Sequence, residues 1–477
     1  MNRQLYRQNN SSPAASALFE TRRFILVLFS SGMLALAFSP YNLGFLAWFA
    51  LVPFFIALHN ASLRQRCILS FSFAFTFFLA TVYWLAHVSL IGFMLLCAYL
   101  GLEFSFYSLF FPRLTSRPAL FLIPLLWISI EQLRGMMFSG FGWGLLGYTQ
   151  YKNLTLIQIA DITGVWGISY LLAMSNTALS QIFVLRRRTP WNNPAIVVPL
   201  LLAAIFYGYG AYCLHLNRQG PDITVSIVQG NIAQEIKWDP DYATAIIEKY
   251  RQLSIIAAEE KPDIIIWPET SVPGYLLDEP QLYSSVVELA QRLKTHLLVG
   301  SPREDYETRR YYNSVFLFSP DGHLQKFHDK IHLVPFGEYI PYKKILWFLA
   351  DFPIADFSAG KKHTVFPLPA AGRPNTSFSV LICFEDLFPF LVKRFRDKGA
   401  QFLLTVTNEA WFKNSTEPPQ HTAISVFRAI ENRCWFIRCA NTGVSCFIDP
   451  KGVIRKKVEL SNKDVFVPGI ATMRLKD

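Results

Sequence analysis

The chain has 477 residues, of which 52% are hydrophobic and only 17% are charged. A soluble protein needs more charged surface than this, so we expect more than one domain and a large part of the chain in lipid. The formal net charge is +11, but no Lys/Arg stripe interleaved with aromatic residues accompanies it, which argues against a nucleic-acid partner.

Cysteine usage and loop composition limit the chemistry further. The seven cysteines have no regular spacing, and the sequence has neither a CxxC pair nor a Cys/His cluster with metal-ligand spacing. We therefore predict no disulfide framework and no metal centre, while a single reactive thiol remains possible. Because neither GxGxxG nor GxxxxGK follows a predicted strand, the sequence predicts no cofactor.

Apolar segments fill the first half of the chain. Seven of them are predicted, at 24–39, 43–58, 67–86, 88–111, 119–133, 165–185 and 195–214. A membrane-spanning helix needs about 20 apolar residues, so the first, second and fifth segments are short and fit tilted or partly interfacial helices. We predict a cytoplasmic segment at 1–23 and a membrane domain with about seven transmembrane helices at 24–215.

The distribution of arginine predicts the orientation of this domain. Arginines precede the first segment and recur in every second loop, at Arg3, Arg7, Arg22, Arg23, Arg64, Arg66, Arg113, Arg117, Arg186, Arg187 and Arg188. Short loops enriched in Lys and Arg are cytoplasmic, so the N-terminus is predicted inside and everything after His215 outside. Glu103 lies within the fourth segment, where a substrate role and a structural hydrogen bond both stay open.

From about Pro221 the pattern changes to short β-branched runs that alternate with amphipathic stretches. Continuous apolar runs, typical of strands buried on both faces, occur at 223–228, 264–267, 297–299, 314–318, 378–383, 402–407 and 435–439. Helices fit between them at 243–258, 281–294 and 422–432. We predict a layered α/β domain at 221–470, followed by a tail at 471–477.

Three polar residues at predicted strand ends are candidates for catalysis. Glu269 closes an apolar strand and is either a general base or a strand-end cap. Lys330 lies between apolar segments, where a lysine is usually a solvated surface residue, and Cys383 ends a strand, where a cysteine is usually inert core. If the three side chains meet at one edge of a sheet, their chemical roles complement one another. A carboxylate can take a thiol proton, and an ammonium lowers the pKa of a thiol and stabilises an oxyanion.

At these residues the sequence resembles the nitrilase superfamily, whose members use a Glu-Lys-Cys triad on an α-β-β-α sandwich. Within that superfamily it resembles the bacterial apolipoprotein N-acyltransferase family. The matching words in the second half are WPET at 267–270, HLVPFGEYIP at 332–341, ICFED at 382–386, TNEAWF at 407–412, QHTAISVFRAIENR at 420–433 and NTGVSCFID at 441–449. Those in the first half are LLWISIEQLRG at 125–135, LGYTQ at 146–150 and IQIADITGVWGISY at 157–170, so the resemblance covers nearly the whole chain.

The resemblance implies a ping-pong acyl transfer, on the periplasmic side of a bacterial inner membrane. Cys383 would take an acyl chain from a membrane phospholipid as a thioester. The α-amine of the N-terminal S-diacylglyceryl-cysteine of a lipoprotein would then collect that chain. Glu269 would be the base and Lys330 the oxyanion stabiliser. The implied partners are the phospholipid donor, diacylglyceryl-modified lipoproteins and the membrane, with the chain as a monomer.

Motif position also implies supporting, substrate-binding roles for Trp238, Glu338 and Glu385. Trp238 could equally be a packing aromatic, and the two glutamates could equally be structural partners of Lys330. The segment 345–357 is too apolar for a solvated loop. It is expected either to dip into the bilayer and gate lipid entry or to pack onto the domain.

The sequence also departs from the family pattern. Glu409 stands where Asp is common, and Phe384 replaces a frequent Tyr. The family usually has an eighth membrane helix after the catalytic domain, whereas this sequence ends at Asp477 without an apolar segment of that kind. Two alternatives to the transferase are a membrane-anchored nitrilase-type amidase, which would discharge its thioester to water, and a non-enzymatic membrane scaffold. Retention of all three candidate catalytic residues argues against the scaffold.

Overall fold

A computed structural model describes residues 13–185, 193–216, 220–341, 356–369 and 374–476. The chain divides into two compact units. The helical unit comprises 1–133, 144–150 and 166–205, and the α/β unit comprises 134–143, 151–165 and 206–477. Two short segments of the first half thus belong to the α/β unit. The domain boundaries at 24–215 and 221–470 stay predictions, and the apolar segment 345–357 lies almost entirely outside the described residues.

Helices form most of the described first half of the chain. They are α1 Pro13–Leu36, α2 Val52–Leu58, α3 Leu63–Thr81, α4 Leu90–Leu109, α5 Ala119–Arg134, α6 Leu154–Ile157, α7 Ala160–Thr163, α8 Val165–Leu185 and α9 Pro194–His215. The short helices α6 and α7 belong to the α/β unit, as does the last part of α9. The predicted segments therefore fold as helices, with one exception at 43–58.

The predicted segment 43–58 is not a single helix. It consists of a 3-10 turn, Gly44–Trp48, and the short helix α2. Pro53 lies in the first turn of α2, where its missing N–H has no intrahelical partner to lose, so the helix begins beside it. Phe54 and Phe55 are fully buried within the helical unit. A short apolar helix of this kind is a core element of the unit, as expected for a run well below 20 residues.

Three helices in the described part of the chain, α4, α8 and α9, are long and apolar enough to cross a membrane. Large apolar side chains such as Leu95 and Leu102 on α4 are mostly exposed, which suits contact with lipid. The chain is therefore a membrane protein, while seven crossings and their orientation stay predictions. Glu103 lies partly buried on α4. The arginines at 3, 7 and 186–188, on which the orientation partly rests, lie outside the described residues.

The α/β unit contains two sheets of six strands each among its described residues. The strands are β1 Thr224–Gln229, β2 Ile264–Ile266, β3 His296–Asp305, β4 Arg310–Phe318, β5 Leu324–Asp329, β6 Phe366–Leu368, β7 Thr376–Ile382, β8 Phe402–Thr407, β9 Phe436–Ala440, β10 Cys446–Ile448, β11 Ile454–Lys457 and β12 Gly469–Arg474. The first sheet has the order β12-β1-β2-β3-β4-β5 and the second the order β11-β10-β9-β8-β7-β6. The remaining helices are α10 Ala243–Ala258, α11 Pro280–Leu293, α12 Pro389–Asp397 and α13 Glu417–Asn432.

Apolar side chains from both sheets meet in one buried core. It includes Val225 and Ile266 of the first sheet and Val380 and Leu404 of the second. The opposite face of the first sheet packs on α10 and α11 through a second buried cluster. On the second sheet, α12 and α13 contact β7, β8 and β9. These four layers confirm the predicted α-β-β-α sandwich, and they explain why its central strands read as continuous apolar runs.

The central strands run parallel in each sheet. β1, β2 and β3 are parallel neighbours, and so are β7, β8 and β9. The carboxyl ends of neighbouring parallel strands lie at the same edge of a sheet, where functional side chains commonly collect. The last strand, β12, pairs antiparallel with β1, so residues 471–474 of the predicted tail lie in the first sheet.

The core between the sheets generates a stability prediction. Ile227 on β1 is fully buried there, whereas Ile256 on α10 is 51% exposed. Ile227→Ala removes buried methylenes and leaves a cavity, which costs about 2–5 kcal/mol. In detergent solution, we expect differential scanning fluorimetry to give a lower unfolding temperature for Ile227→Ala and little change for Ile256→Ala. Equal shifts for the two variants would contradict the described packing.

Candidate active site

Glu269, Lys330 and Cys383 follow three strands of the α/β unit. Glu269 comes three residues after β2 ends, Lys330 directly follows β5, and Cys383 directly follows β7. The Nζ of Lys330 lies 3.5 Å from Oε1 of Glu269, and both side chains are buried. The charges of Glu269 and Lys330 both act on the pKa of Cys383, so all three groups are electrostatic neighbours. The fold thus brings together the three residues that the sequence proposed as catalytic.

Both carboxylate oxygens of Glu269 accept hydrogen bonds. Oε1 accepts one of 2.8 Å from Nδ2 of Asn313 on β4, and Oε2 accepts one of 2.9 Å from the backbone N–H of Asn408, which follows β8. Glu269 is only 7% exposed. Hydrogen bonds at both oxygens fix the orientation of this buried carboxylate. Its position as a proton acceptor in the site is therefore fixed as well.

Lys330 is held between two carboxylates. Its Nζ lies 2.9 Å from Oε1 of Glu338 and 3.5 Å from Oε1 of Glu269. The same Oε1 accepts a hydrogen bond of 2.9 Å from Nδ2 of Asn313, and Oε2 accepts one of 2.8 Å from the backbone N–H of Val334. Burial lowers the pKa of Lys330, but the charges of Glu338 and Glu269 raise it more, so its pKa lies above the usual range. Lys330 therefore stays charged.

The residue before Lys330 fixes the end of β5. Asp329 accepts two hydrogen bonds from Arg303, of 3.1 and 2.9 Å, and one of 2.6 Å from the hydroxyl of Ser314. The backbone N–H of Lys330 donates to the carbonyl oxygen of Asn313 at 2.8 Å. A bidentate arginine–carboxylate pair is geometrically specific. The position from which the Lys330 side chain enters the site is therefore defined by β3 and β4.

Cys383 directly follows β7 and is the first residue of a 3-10 helix, Cys383–Leu387. We call this helix the elbow. The φ angle of Cys383 is +59°, a left-handed conformation that is uncommon for a residue with a side chain and that often marks a functional site. Burial and the charge of Glu269 raise the pKa of the Cys383 thiol well above its usual value, and the charge of Lys330 offsets only part of this. The lowering of the thiol pKa that was expected from the ammonium of Lys330 is thus outweighed, and the resting thiol is protonated.

Glu385 connects the elbow to the chain beyond Lys330. Its Oε1 accepts hydrogen bonds of 2.7 and 2.8 Å from the backbone N–H groups of Ile331 and His332, and its Oε2 accepts one of 2.7 Å from Ile382. Burial raises the pKa of Glu385 to about 7, although these N–H groups oppose the rise. Glu385 is fully buried and bonds to main chain on both sides of the site, so it fixes the spacing between Lys330 and Cys383.

Trp238, the other predicted supporting residue, is 48% exposed, and its role stays a prediction. The neighbouring Lys237 is only 3% exposed, and its Nζ donates a hydrogen bond of 3.1 Å to the carbonyl oxygen of Glu269. The sequence therefore predicted a site role for the exposed Trp238 and none for the buried Lys237.

A short segment from the first half of the chain packs beside the elbow. The Nε2–H of His332 donates to the carbonyl oxygen of Ser139 at 2.6 Å. Gly142 contacts Leu387 so closely that a side chain at this position would crowd it. The ring of Trp143 lies 5.8 Å from that of His421 on α13. Residues 134–143 therefore form part of the wall around the elbow.

A buried charged network also contacts the elbow. His421 directs Nε2 to Asp386 of the elbow at 2.5 Å and Nδ1 to Glu409 at 2.8 Å. Arg438 contacts the same two carboxylates, Glu409 at 2.5 Å and Asp386 at 3.4 Å. Burial lowers the pKa of His421 and the charge of Asp386 raises it, with a net rise well above its usual value. The imidazolium therefore joins the elbow to the loop that contains Asn408.

This network includes the cluster among the described residues that best suits a metal ion. Atoms of Glu409, Glu417 and His421 lie within 4.8 Å of one another. However, both imidazole nitrogens already point to carboxylate oxygens, and the guanidinium of Arg438 contacts Glu409. A metal ligand must offer a lone pair, which a doubly hydrogen-bonded imidazolium lacks. The donor set therefore fits a protonated histidine better than a cation.

The network also explains why the unusual Glu409 is accommodated. Its Oε2 lies against Gly443, where any Cβ would overlap it. The glycine provides space for a carboxylate that is one methylene longer than Asp.

The sequence predicted no role in the site for Asn313, Asn408 or Lys237. Asn408 lies within the recognised word TNEAWF, so its motif position was an available signal. Asn313 lies in β4 among aromatic and apolar residues, and its only signal was a buried amide in a strand. Its function depends on bridging Glu269 and Glu338, and only the tertiary structure brings those two residues together.

Comparison with known proteins agrees with the fold. Residues 224–475 match the model of the carbon-nitrogen hydrolase family, and residues 30–178 match that of the apolipoprotein N-acyltransferase N-terminal domain. The second half is thus a carbon-nitrogen hydrolase domain, with a buried lysine and glutamate and a partly buried cysteine after its strands.

The curated relatives are similar along nearly the full length of the chain. The apolipoprotein N-acyltransferase of Geobacter metallireducens is 37% identical over 93% of this chain and 88% of its own length. That of Nitrosomonas europaea is 33% identical over 83% and 80%. Nit3 of Saccharomyces cerevisiae, a solved member of the nitrilase superfamily, covers 54% of this chain and 91% of its own, with 21% identity and a TM-score of 0.41. The chain belongs to the apolipoprotein N-acyltransferase family.

The charge on His421 generates a pH prediction. Because its pKa is raised in the folded state, its contribution to stability is fully present below the unfolded pKa of about 6.5 and is lost as the pH rises through the higher folded value. His421→Gln should therefore lower the unfolding temperature most near pH 6, and the deficit should shrink as the pH rises above about 6.5.

Thermal unfolding of the purified protein between pH 5.5 and 9 measures this difference. The matched control is His323→Gln, because the side chain of His323 is 83% exposed in the same unit. A deficit for His421→Gln that does not change with pH would contradict a charged His421.

Proposed function

We propose that this protein transfers an acyl chain from a membrane phospholipid to the α-amine of the N-terminal S-diacylglyceryl-cysteine of lipoproteins, through a thioester on Cys383. Family membership supports the overall reaction. The observation that carries the mechanism is the position of Cys383 at a strained elbow, beside a lysine and a glutamate that are both buried and paired.

In the first half-reaction, Glu269 takes the proton from Sγ of Cys383 as the thiolate attacks the ester carbonyl of the phospholipid. The C–S bond forms and the carbonyl oxygen becomes an oxyanion, which the ammonium of Lys330 stabilises. The C–O bond to the glycerol then breaks. Glu269 returns the proton to the leaving alkoxide, and a lysophospholipid departs with the acyl chain left on Cys383.

In the second half-reaction, the neutral α-amine of the lipoprotein attacks the thioester carbonyl. A C–N bond forms, Lys330 again stabilises the oxyanion, and the C–S bond breaks. Glu269 takes one proton from the attacking nitrogen and returns it to the leaving thiolate. The product is an amide, and the protonated thiol of the resting site is restored.

The high pKa of the Cys383 thiol suits the proposed acyl transfer. A protonated thiol reacts far more slowly than a thiolate with oxidants and adventitious electrophiles. The thiolate forms only as the proton moves to Glu269, and Asn313 and Asn408 hold that carboxylate in one direction. Glu338 keeps Lys330 charged and within reach of both groups. These contacts suit a nucleophile that becomes reactive once an acyl donor is bound.

The acyl transfer also requires the protein to lie at a membrane that holds both lipids. We propose a multi-pass protein of the bacterial inner membrane, with the α/β unit on the periplasmic side and the chain acting as a monomer. The alternation of arginine-rich and cation-poor loops supports this orientation. Both substrates are lipids that can reach the outer leaflet, so an outward-facing site suits them.

Cys383 can be tested by intact-mass analysis after incubation with phospholipid. We expect a mass increase of one acyl chain on the wild-type protein and none on Cys383→Ala. Cys67→Ala is the matched control, because Cys67 is the other cysteine that is only partly buried, and it should still be acylated. Addition of an N-terminal diacylglyceryl-cysteine peptide should discharge the adduct as an amide. Discharge at the same rate by water alone would instead favour an amidase, and an adduct on Cys383→Ala would refute the assignment.

Glu269 can be tested through the rate of the same acylation. Glu269→Gln retains the size of the side chain and an oxygen that can accept a hydrogen bond, but it cannot take a proton. Because general-base catalysis contributes about 10²–10⁴-fold, we expect acylation of Cys383 to slow by at least about 100-fold. Glu288→Gln, at an exposed glutamate of α11, should react at the wild-type rate. A loss of less than about tenfold for Glu269→Gln would exclude Glu269 as the base.

A further inference from the structure

Lys237 is a second lysine buried at the proposed active site, and the mechanism above does not use it. It is 3% exposed, and its Nζ lies 3.1 Å from the carbonyl oxygen of Glu269. It lies in the loop after β1, before the 3-10 turn Pro240–Tyr242. A lysine is almost never fully buried unless its charge has a partner. The position of Lys237 therefore requires an electrostatic explanation.

A charge count of the site provides one. Glu269 is a buried carboxylate and Glu338 a partly buried one, and Lys330 supplies one positive charge to the two of them. Without Lys237 the cluster has an excess negative charge, even before Glu385 is counted. An excess negative charge opposes the formation of a thiolate, and a buried charge without compensation is costly. The charge of Lys237 balances the second carboxylate.

We propose that Lys237 is a positioning residue of the acyl transfer, which holds the main chain of Glu269 and supplies the second positive charge that makes the Cys383 thiolate accessible. This inference rests on the proposed function. Lys237 keeps its own protons throughout, while the thiol proton moves from Sγ of Cys383 to the carboxylate of Glu269. Its charge lowers the free energy of the state in which the sulfur is negative.

The electrostatics of Lys237 agree with this role. Burial lowers its pKa to about 8, while the charges of Glu269 and Cys383 raise it in part. A Coulomb interaction acts equally on both partners, so the charge of Lys237 favours the thiolate as much as the thiolate favours that charge. Below about pH 8 Lys237 is charged and assists Cys383, and above that pH it becomes neutral and the assistance is lost.

A purely structural role would need only the hydrogen bond to Glu269. Substitutions can separate the bond from the charge. Lys237→Gln retains a donor but no charge, Lys237→Met has neither, and Lys237→Arg retains both. Removing this charge leaves the second carboxylate uncompensated, so the unfolding temperature of each variant is measured first and the rates are compared for variants that fold. The matched control is Lys249→Gln on α10, since Nζ of Lys249 is also partly buried and lies 3.5 Å from the carbonyl oxygen of Asn231.

The test measures alkylation of Cys383 by iodoacetamide, because the thiolate alone reacts and no lipid is required. The full-length protein in detergent carries Cys67→Ala, and the mass of the Cys383 peptide is followed between pH 6 and 9.5. We expect Lys237→Gln and Lys237→Met to react about tenfold more slowly than the parent at pH 7, and the difference should shrink above about pH 8, where Lys237 of the parent loses its charge. Lys237→Arg should recover the parent rate, and Lys249→Gln should match it.

Each outcome has a distinct meaning. Parent-like curves for Lys237→Gln and Lys237→Met would overturn the proposal, as would equal slowing by Lys237→Arg. Slowing by Lys237→Met alone, with Lys237→Gln unchanged, would also overturn it, because the hydrogen bond and not the charge would then matter. Failure of the acyl-transfer proposal would appear separately, as a parent protein that is alkylated normally but gains no acyl chain from phospholipid.

Discussion

The ion pair between Lys330 and its two carboxylates is the interaction on which the rest of the site depends. An isolated ammonium in this interior would lose its proton or remain exposed, and either outcome would remove the proposed oxyanion stabiliser. Glu338 and Glu269 keep the charge in place at 2.9 and 3.5 Å. Asn313 bridges the same two carboxylates from β4 and limits their mutual repulsion. The site is therefore a set of buried charges in which each member requires the others.

This dependence also explains the organisation around the nucleophile. The strained backbone of Cys383 persists only if its surroundings over-determine it. Glu385 binds the elbow to the chain beyond Lys330, and Asp386, the next residue, binds it to His421 and Arg438. Adjacent residues of one short turn thus connect the nucleophile to the other parts of the site. The thiol is protonated at rest because burial and then the neighbouring carboxylates raise its pKa.

The pattern of residues along the chain predicted much of the fold. Strands buried on both faces produce continuous apolar runs, so β1, β2, β7, β8 and β9 were found within one or two residues, and α10 was found at its observed bounds. The edge strand β5 was missed because three consecutive residues of it are exposed, and two of these, Gln325 and Lys326, are polar. The late strand β12 was missed because its pairing with β1 joins residues more than 200 positions apart.

Glu269, Lys330 and Cys383 could be proposed from the sequence, because Glu269 and Cys383 stand in recognisable words at strand ends and Lys330 lies two residues before another such word. Membership of the family followed from the same words. The tertiary structure alone decided which groups surround those three residues: the amide of Asn313, the ammonium of Lys237 and the imidazolium of His421. Each of these acts through a contact between distant parts of the chain, and the strength of a buried charge depends on how its surroundings exclude water. Periodicity and motif spacing report neither, so the electrostatics of this site become visible only once the sheets have packed together.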